Sequence, residues 1–176
     1  MNLPNKLTMA RIIAIPIFIV VLMMEFRYAA TIIFILAALT DMLDGHIARK
    51  YNLVSNFGKL MDPLADKLLV MAALVCLVEL GNVPAWMVVV ILAREFAVTG
   101  LRQVAVEQGI VIAAAPTGKI KTITQMIAIP LLLLANWPFS YIGIPMDQIF
   151  LWIAVAMTII SGAEYFYKNR QLLSMD

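Results

Sequence analysis

Four aspartates could do chemistry in this chain. Asp41 and Asp44 precede Gly45, Ala48 and Arg49, and Gly58, Asp62 and Asp66 follow at spacings of four. On a helix advancing about 100° per residue, Asp41, Asp44, Gly45, Ala48 and Arg49 fall within one sector of roughly 140°, and Gly58, Asp62 and Asp66 form a second stripe. The stretch from Tyr51 to Asn56 is short, so the helices on either side of it run antiparallel and hold both stripes at one depth. Like carboxylates brought so close repel each other, and poor solvation raises the cost, so the cluster requires cations. Oxygen ligands alone, with His46 about 140° away from Asp41 on the helical wheel, favour Mg²⁺ or Mn²⁺ over Zn²⁺. Four carboxylates suit two ions, and a pair about 3.5–4 Å apart clamps a phosphate ester for displacement at phosphorus. Gly45, Ala48 and Gly58 leave room for a large phosphate-bearing ligand to approach the backbone, and Arg49 can fork onto a phosphate oxygen. Asp62 before Pro63 also reads as a helix N-cap, and Gly45 and Ala48 as small residues at a helix crossing. Those readings explain one or two members and leave the other carboxylates unexplained.

The elements that position these residues follow from composition. Of 176 residues, 63% are hydrophobic and 14% charged, against roughly 45–50% and 25% in ordinary soluble domains. Mean hydropathy is +0.94. A core of this size could not hide so much apolar surface from water, so lipid supplies the missing solvent. The sequence predicts an all-α integral membrane bundle of six transmembrane helices forming a single domain over residues 1–176. The spans run from Leu7 to Met24, Ala29 to Lys50, Phe57 to Leu80, Pro84 to Val106, Gly118 to Ala135 and Gln148 to Phe166, each near the roughly 20 residues that cross a bilayer. Runs such as Ile12 to Met24 lack the alternation of a barrel strand. The breaks are short, so consecutive helices should be antiparallel neighbours. No small-residue cleavage site of the Ala-x-Ala kind follows the first run, which argues for a span rather than a secretory signal.

With six crossings, Lys6, Arg11, Arg49, Lys50, Lys59, Lys67, Arg94, Arg102, Lys119, Lys121, Lys168 and Arg170 fall on one side and Arg27 alone on the other. That asymmetry puts both termini in the cytoplasm. Several of these side chains lie within helix ends rather than loops, so the asymmetry also describes a basic, anion-binding cytoplasmic half. A net charge of +2 from 13 basic and 11 acidic residues is too balanced for a nucleic-acid binder. The single Cys76 lies in an apolar run, which leaves no disulfide framework and no Cys-based metal site. The 12 methionines read as packing, and two of Trp86, Trp137 and Trp152 lie near outer helix ends, as in an interfacial belt.

The pattern Asp41-x₂-Asp44-Gly45-x₂-Ala48-Arg49-x₈-Gly58-x₃-Asp62-x₃-Asp66 resembles the signature of the CDP-alcohol phosphotransferases in all eight positions and in spacing. The resemblance implies a six-helix membrane enzyme that moves a phosphatidyl-type group from a CDP-linked lipid to an alcohol and releases CMP. It implies that Asp41, Asp44 and Asp62 ligate the metals, that Asp66 is both a ligand and the general base, and that Gly45, Ala48, Arg49 and Gly58 shape the CDP site. A homodimer in a bacterial cell membrane, with the active site facing the cytoplasm, is implied as well.

Three further stretches bear on the acceptor. Leu3-Pro4-Asn5-Lys6-Leu7-Thr8-x₂-Arg11, Ala93-Arg94-Glu95-Phe96-x₂-Thr99-Gly100-Leu101-Arg102 and Gly118-Lys119-x-Lys121-Thr122-x₂-Gln125 resemble the branch of that family that uses sn-glycerol 3-phosphate with CDP-diacylglycerol. A doubly charged acceptor calls for extra cations, and Arg94, Arg102, Lys119 and Lys121 are the candidates. Arg94 and Arg102 lie within about 80° on one helix face, whereas Lys119 and Lys121 are about 200° apart, so one of the two lysines points inward. Snorkelling to anionic headgroups is the alternative for all four. Asn5 and Thr8 are expected to touch the nucleotide, although an Asn or Thr ahead of an apolar run equally caps a helix. Serine or inositol phosphate as acceptor, or a carboxylate-lined cation transporter, are the competing readings. Transport sites tend to lie at the midplane within repeated halves, and no repeat is visible here.

Overall fold

The computed structural model describes the backbone of residues 3–50, 56–110, 112–113 and 115–173, and the side chains of those residues other than 3–5, 41–50, 56–60, 62, 63, 66, 172 and 173. Six α-helices run through them: α1 (Leu3–Met23), α2 (Arg27–Lys50), α3 (Asn56–Glu79), α4 (Ala85–Glu107), α5 (Pro116–Leu133) and α6 (Met146–Lys168). Two short 3₁₀ turns, Phe139–Ile142 and Arg170–Leu173, complete the element order, and no strand occurs among the described residues. Every span expected from the sequence is a helix. The largest difference is at α1, which begins at Leu3 rather than Leu7 because polar residues end an apolar run without ending a helix. Two of the helices, over Lys6–Met23 and Met146–Lys168, are long and apolar enough to cross a membrane by length and composition, and Arg27–Thr40 is a shorter apolar stretch.

The turns have identifiable chemistry. Glu25 takes φ 64° in the turn between α1 and α2, and Gly81 takes φ 71° just after α3, where the left-handed conformation is cheapest for glycine. Asn136, at φ 65°, closes the turn from α5 to α6. Its Nδ2 donates to the Ile144 carbonyl at 2.7 Å, and its Oδ1 accepts from the Asp147 amide at 3.2 Å.

The helices gather into two compact units, Met1–Asn82 and Val83–Asp176. In the first, α1 packs on both α2 and α3, and α2 packs on α3. The buried stripe of α1 is Thr8, Arg11, Ile15, Phe18 and Leu22, at the three- and four-residue spacing of one helix face. The Phe18 ring meets the Phe34 ring of α2 at 6.1 Å and a tilt of 49°. Arg11 is buried within this stripe, and its Nε donates to the Ala37 carbonyl of α2 at 3.3 Å. In the second unit α6 packs on both α5 and α4. The expectation that neighbours in sequence are the main neighbours in space therefore needs correction for α4. The connection from Gln108 to Ala115 separates α4 from α5, and the small Ser161 and Gly162 of α6 are buried.

Outward faces remain apolar. Ile13, Ile17 and Val20 on α1, Val89 on α4 and Ile159 on α6 are each more than half exposed. Trp86 and Trp152, also exposed, place their rings 5.7 Å apart between α4 and α6. A folded chain that turns this much aliphatic surface outward needs an apolar surrounding.

Because helix association in lipid depends on packing more than on water exclusion, Phe18→Ala should cost about 3 kcal/mol. Ile17→Ala, on the outward face, should cost less than about 1 kcal/mol. Thermal midpoints of the two variants in one detergent provide the comparison.

Candidate active site

Asp41 and Asp44 lie in the last turns of α2, and Asp62 and Asp66 in the early turns of α3. Asp44 is six residues before the end of α2 and Asp62 six residues after the start of α3, while Asp41 and Asp66 stand nine and ten residues from the same break. At about 1.5 Å per residue, the two pairs occupy matching depths along two packed helices. Their side chains lie outside the described residues, as do those of Asn5, Gly45, Ala48, Arg49 and Gly58.

The helix register of these positions can be read from the backbone. On α2, the buried Ala30, Phe34 and Ala37 continue at the same spacing to positions 41, 44 and 48. On α3, positions 62 and 66 share a stripe with Ala65, Leu69 and Ala73, all three buried. Among the described residues no group of three or more His, Cys, Asp or Glu could hold a metal ion. The four aspartates of the sequence motif carry the oxygen donors that a hard divalent cation takes, and their side chains fall outside those described residues.

Two capping alternatives fall away. Asp62 is six residues inside α3 with Pro63 also helical, and Thr8 is five residues inside α1, so neither caps a helix start. Thr8 is fully buried, one turn before the equally buried Arg11.

The second unit holds a polar cluster that can be described atom by atom. Glu95 of α4 accepts two cations on its Oε1, Arg94 Nη1 at 2.9 Å and Lys121 Nζ of α5 at 2.5 Å. Lys121 is 4% exposed, whereas Lys119 is exposed. The lysine that turns inward is thus Lys121. The Arg94 stem runs past two glycines: a Cβ at Gly162 would meet its Cγ at 3.1 Å, and one at Gly118 would meet Nη2 at 3.5 Å. Arg94 Nε and the Nε2 of buried Gln125 have no hydrogen-bond partner among the described residues. Arg102 does not join this cluster. It is exposed, donates from Nε to the Tyr165 hydroxyl of α6 at 3.0 Å, and places its guanidinium 5.5 Å from that ring's centroid. At the start of α5, the Thr117 hydroxyl donates to Glu164 of α6, which also pairs with Lys168.

Sequence reasoning found Arg94 and Lys121 and missed Glu95, Gly162 and Tyr165. Adjacent residues on a helix do not normally face each other, so nothing in Arg94-Glu95 signals that both turn toward α5. Gly162 sits in an ordinary apolar run, and only its approach to Arg94 distinguishes it.

Four aspartates in helical register on two packed helices of the first unit, and a buried basic cluster in the second, suit a membrane enzyme that handles phosphate esters. The model of the CDP-alcohol phosphatidyltransferase family matches residues 1–160, and the chain belongs to that family. It is 51% identical to the CDP-diacylglycerol–glycerol-3-phosphate 3-phosphatidyltransferase of Bacillus subtilis (strain 168), over 98% of this chain and 97% of that protein. Similar proteins of the same name occur in Rickettsia bellii, 43% identical over 94% of this chain and 93% of that protein, and in Wigglesworthia glossinidia brevipalpis, 36% identical over 95% and 94%.

Two glycines give a contrast that checks the packing around Arg94. Gly100→Ala in α4 places its methyl in open space and should stabilise the helix by about 0.5–1 kcal/mol. Gly162→Ala must push against the Arg94 stem and should lose that gain. Thermal midpoints of the two variants, measured side by side, check the difference in sign.

Proposed function

We propose that this chain transfers the phosphatidyl group from CDP-diacylglycerol to sn-glycerol 3-phosphate, giving phosphatidylglycerophosphate and CMP. The reading is supported by register: Asp41, Asp44, Asp62 and Asp66 stand at helix positions in step with the buried Ala30, Phe34 and Ala37 of α2 and the buried Ala65, Leu69 and Ala73 of α3. Family membership and the names of its relatives supply donor and acceptor. In this reading the six helices cross a bacterial cell membrane as one domain, with both termini and the site on the cytoplasmic side, and the enzyme works as a homodimer.

Asp41, Asp44, Asp62 and Asp66 hold two Mg²⁺ or Mn²⁺ ions, which when bound neutralise the pyrophosphate and withdraw charge from the reacting phosphorus. Gly45, Ala48 and Gly58 admit the nucleotide close to the backbone, Asn5 and Thr8 contact it, and Arg49 forks onto a phosphate oxygen. Asp66 accepts the proton of the acceptor's 1-hydroxyl. The freed oxygen attacks the phosphorus bonded to diacylglycerol, the bond from that phosphorus to the bridging oxygen breaks, and CMP leaves with the electron pair. Arg94 and Lys121 bind the acceptor's phosphate, while Arg102 and Lys119, both exposed, draw anionic acceptor and headgroups to the surface.

Purified protein in detergent with CDP-diacylglycerol and Mg²⁺ should release CMP with glycerol 3-phosphate and not with serine or inositol phosphate. A chelator should stop the release, and added Mg²⁺ or Mn²⁺ should restore it. Asp66→Asn should lower kcat about a thousandfold, and Arg94→Gln should raise the KM for glycerol 3-phosphate about tenfold or more. Release with another acceptor would overturn the reading of the basic residues, and release that survives the chelator would overturn that of the aspartates.

A further inference from the structure

We propose that Glu95 is a positioning residue for the acceptor: it holds Arg94 and Lys121, from two helices, at one fixed separation that fits a phosphate. This inference rests on the reading of Arg94 and Lys121 as the phosphate-binding pair. Both cations bond the same oxygen, Oε1, at 2.9 and 2.5 Å, so one carboxylate oxygen holds the two charged ends together. Each side chain carries about 2 kcal/mol of rotamer entropy, and two like charges in a poorly solvated place repel. Glu95 offsets both costs before any ligand arrives. It does so from a partly buried position, with its side chain 19% exposed against 5% for Lys121.

Two further observations separate a prepared anion site from a structural salt bridge. The cluster retains donor capacity: Arg94 Nε and Gln125 Nε2 are buried without a hydrogen-bond partner among the described residues, and Gln125 lies one helical turn beyond Lys121 on α5. A cluster built only for stability would use such donors, because an unsatisfied buried donor costs about 1–3 kcal/mol. Gly162 also borders the Arg94 side chain, where an added Cβ would press on its Cγ at 3.1 Å. An oxygen-rich anion is the chemistry that satisfies those donors. A carboxylate lying against the two cations would by simple charge weaken anion binding, so removing it distinguishes positioning from mere counter-charge by the sign of the effect.

The test is steady-state CMP release by the full-length protein in detergent, with the KM for glycerol 3-phosphate and for CDP-diacylglycerol measured separately. Glu95→Gln should raise the KM for glycerol 3-phosphate roughly tenfold, with kcat within about threefold and the KM for CDP-diacylglycerol unchanged. Glu95→Asp, which keeps the charge, should return that KM to within about threefold of the parent. In a Lys121→Met background the effect of Glu95→Gln should shrink, because the two act as a unit. A KM for glycerol 3-phosphate that is unchanged or lower in Glu95→Gln, while Arg94→Gln still raises it, overturns the proposal and leaves the acceptor reading standing. Loss of all CMP release in both Glu95 variants, or a parallel shift in the KM for CDP-diacylglycerol, makes Glu95 structural and equally overturns it. If Arg94→Gln and Lys121→Met leave the KM for glycerol 3-phosphate untouched, the acceptor reading itself falls, and the proposal with it.

Discussion

Charge held inside an apolar helical bundle is the constraint on which this structure depends. A charged or polar group away from water costs free energy unless its bonds are made, and Arg11, Lys121, Thr8 and Gln125 are all nine-tenths or more buried. Arg11 reaches across from α1 to the Ala37 carbonyl of α2. Lys121 reaches from α5 to Glu95 of α4, where Arg94 joins it. Arg11 and Lys121 therefore each tie one helix to another within their own units, while the outward faces carry Ile, Val and Leu.

The helical period turns this constraint into a site. Because residues at spacings of three and four share a face, positions 41, 44 and 48 of α2 are in register with its buried Ala30, Phe34 and Ala37. Asp41 and Asp44 inherit that register from Ala30, Phe34 and Ala37, and Asp62 and Asp66 inherit theirs from Ala65, Leu69 and Ala73. In the proposed reading, the periodicity that packs the helices also spaces the four aspartates. A small residue serves the basic cluster in a related way, since Gly162 of α6 leaves room for the Arg94 side chain.

Much of this was legible from residue types. The six helices follow from apolar runs too long for a soluble core, and their ends shift by at most four residues because Asn5 and Lys6 extend α1 past its apolar stretch. The aspartate motif is legible because its spacing is local and helical. Other features misled. Asp62 before Pro63 resembles a cap in sequence, yet the helix starts six residues earlier, at Asn56. Arg94 and Arg102 share a face of α4, yet the first meets Glu95 and the second Tyr165, because the neighbours along that face change over two turns.

The sequence by itself determined the class of solvent, the number of helices, the inward stripes and the aspartate motif, since composition and period are properties of the chain alone. Tertiary structure decided the pairings: that α4 packs on α6, that Lys121 rather than Lys119 turns inward, that Glu95 gathers two cations onto one oxygen, and that Gly162 borders Arg94. The physical reason is range. Periodicity tells which way a side chain points from its own helix, whereas a salt bridge across 26 residues depends on which helix arrives opposite it.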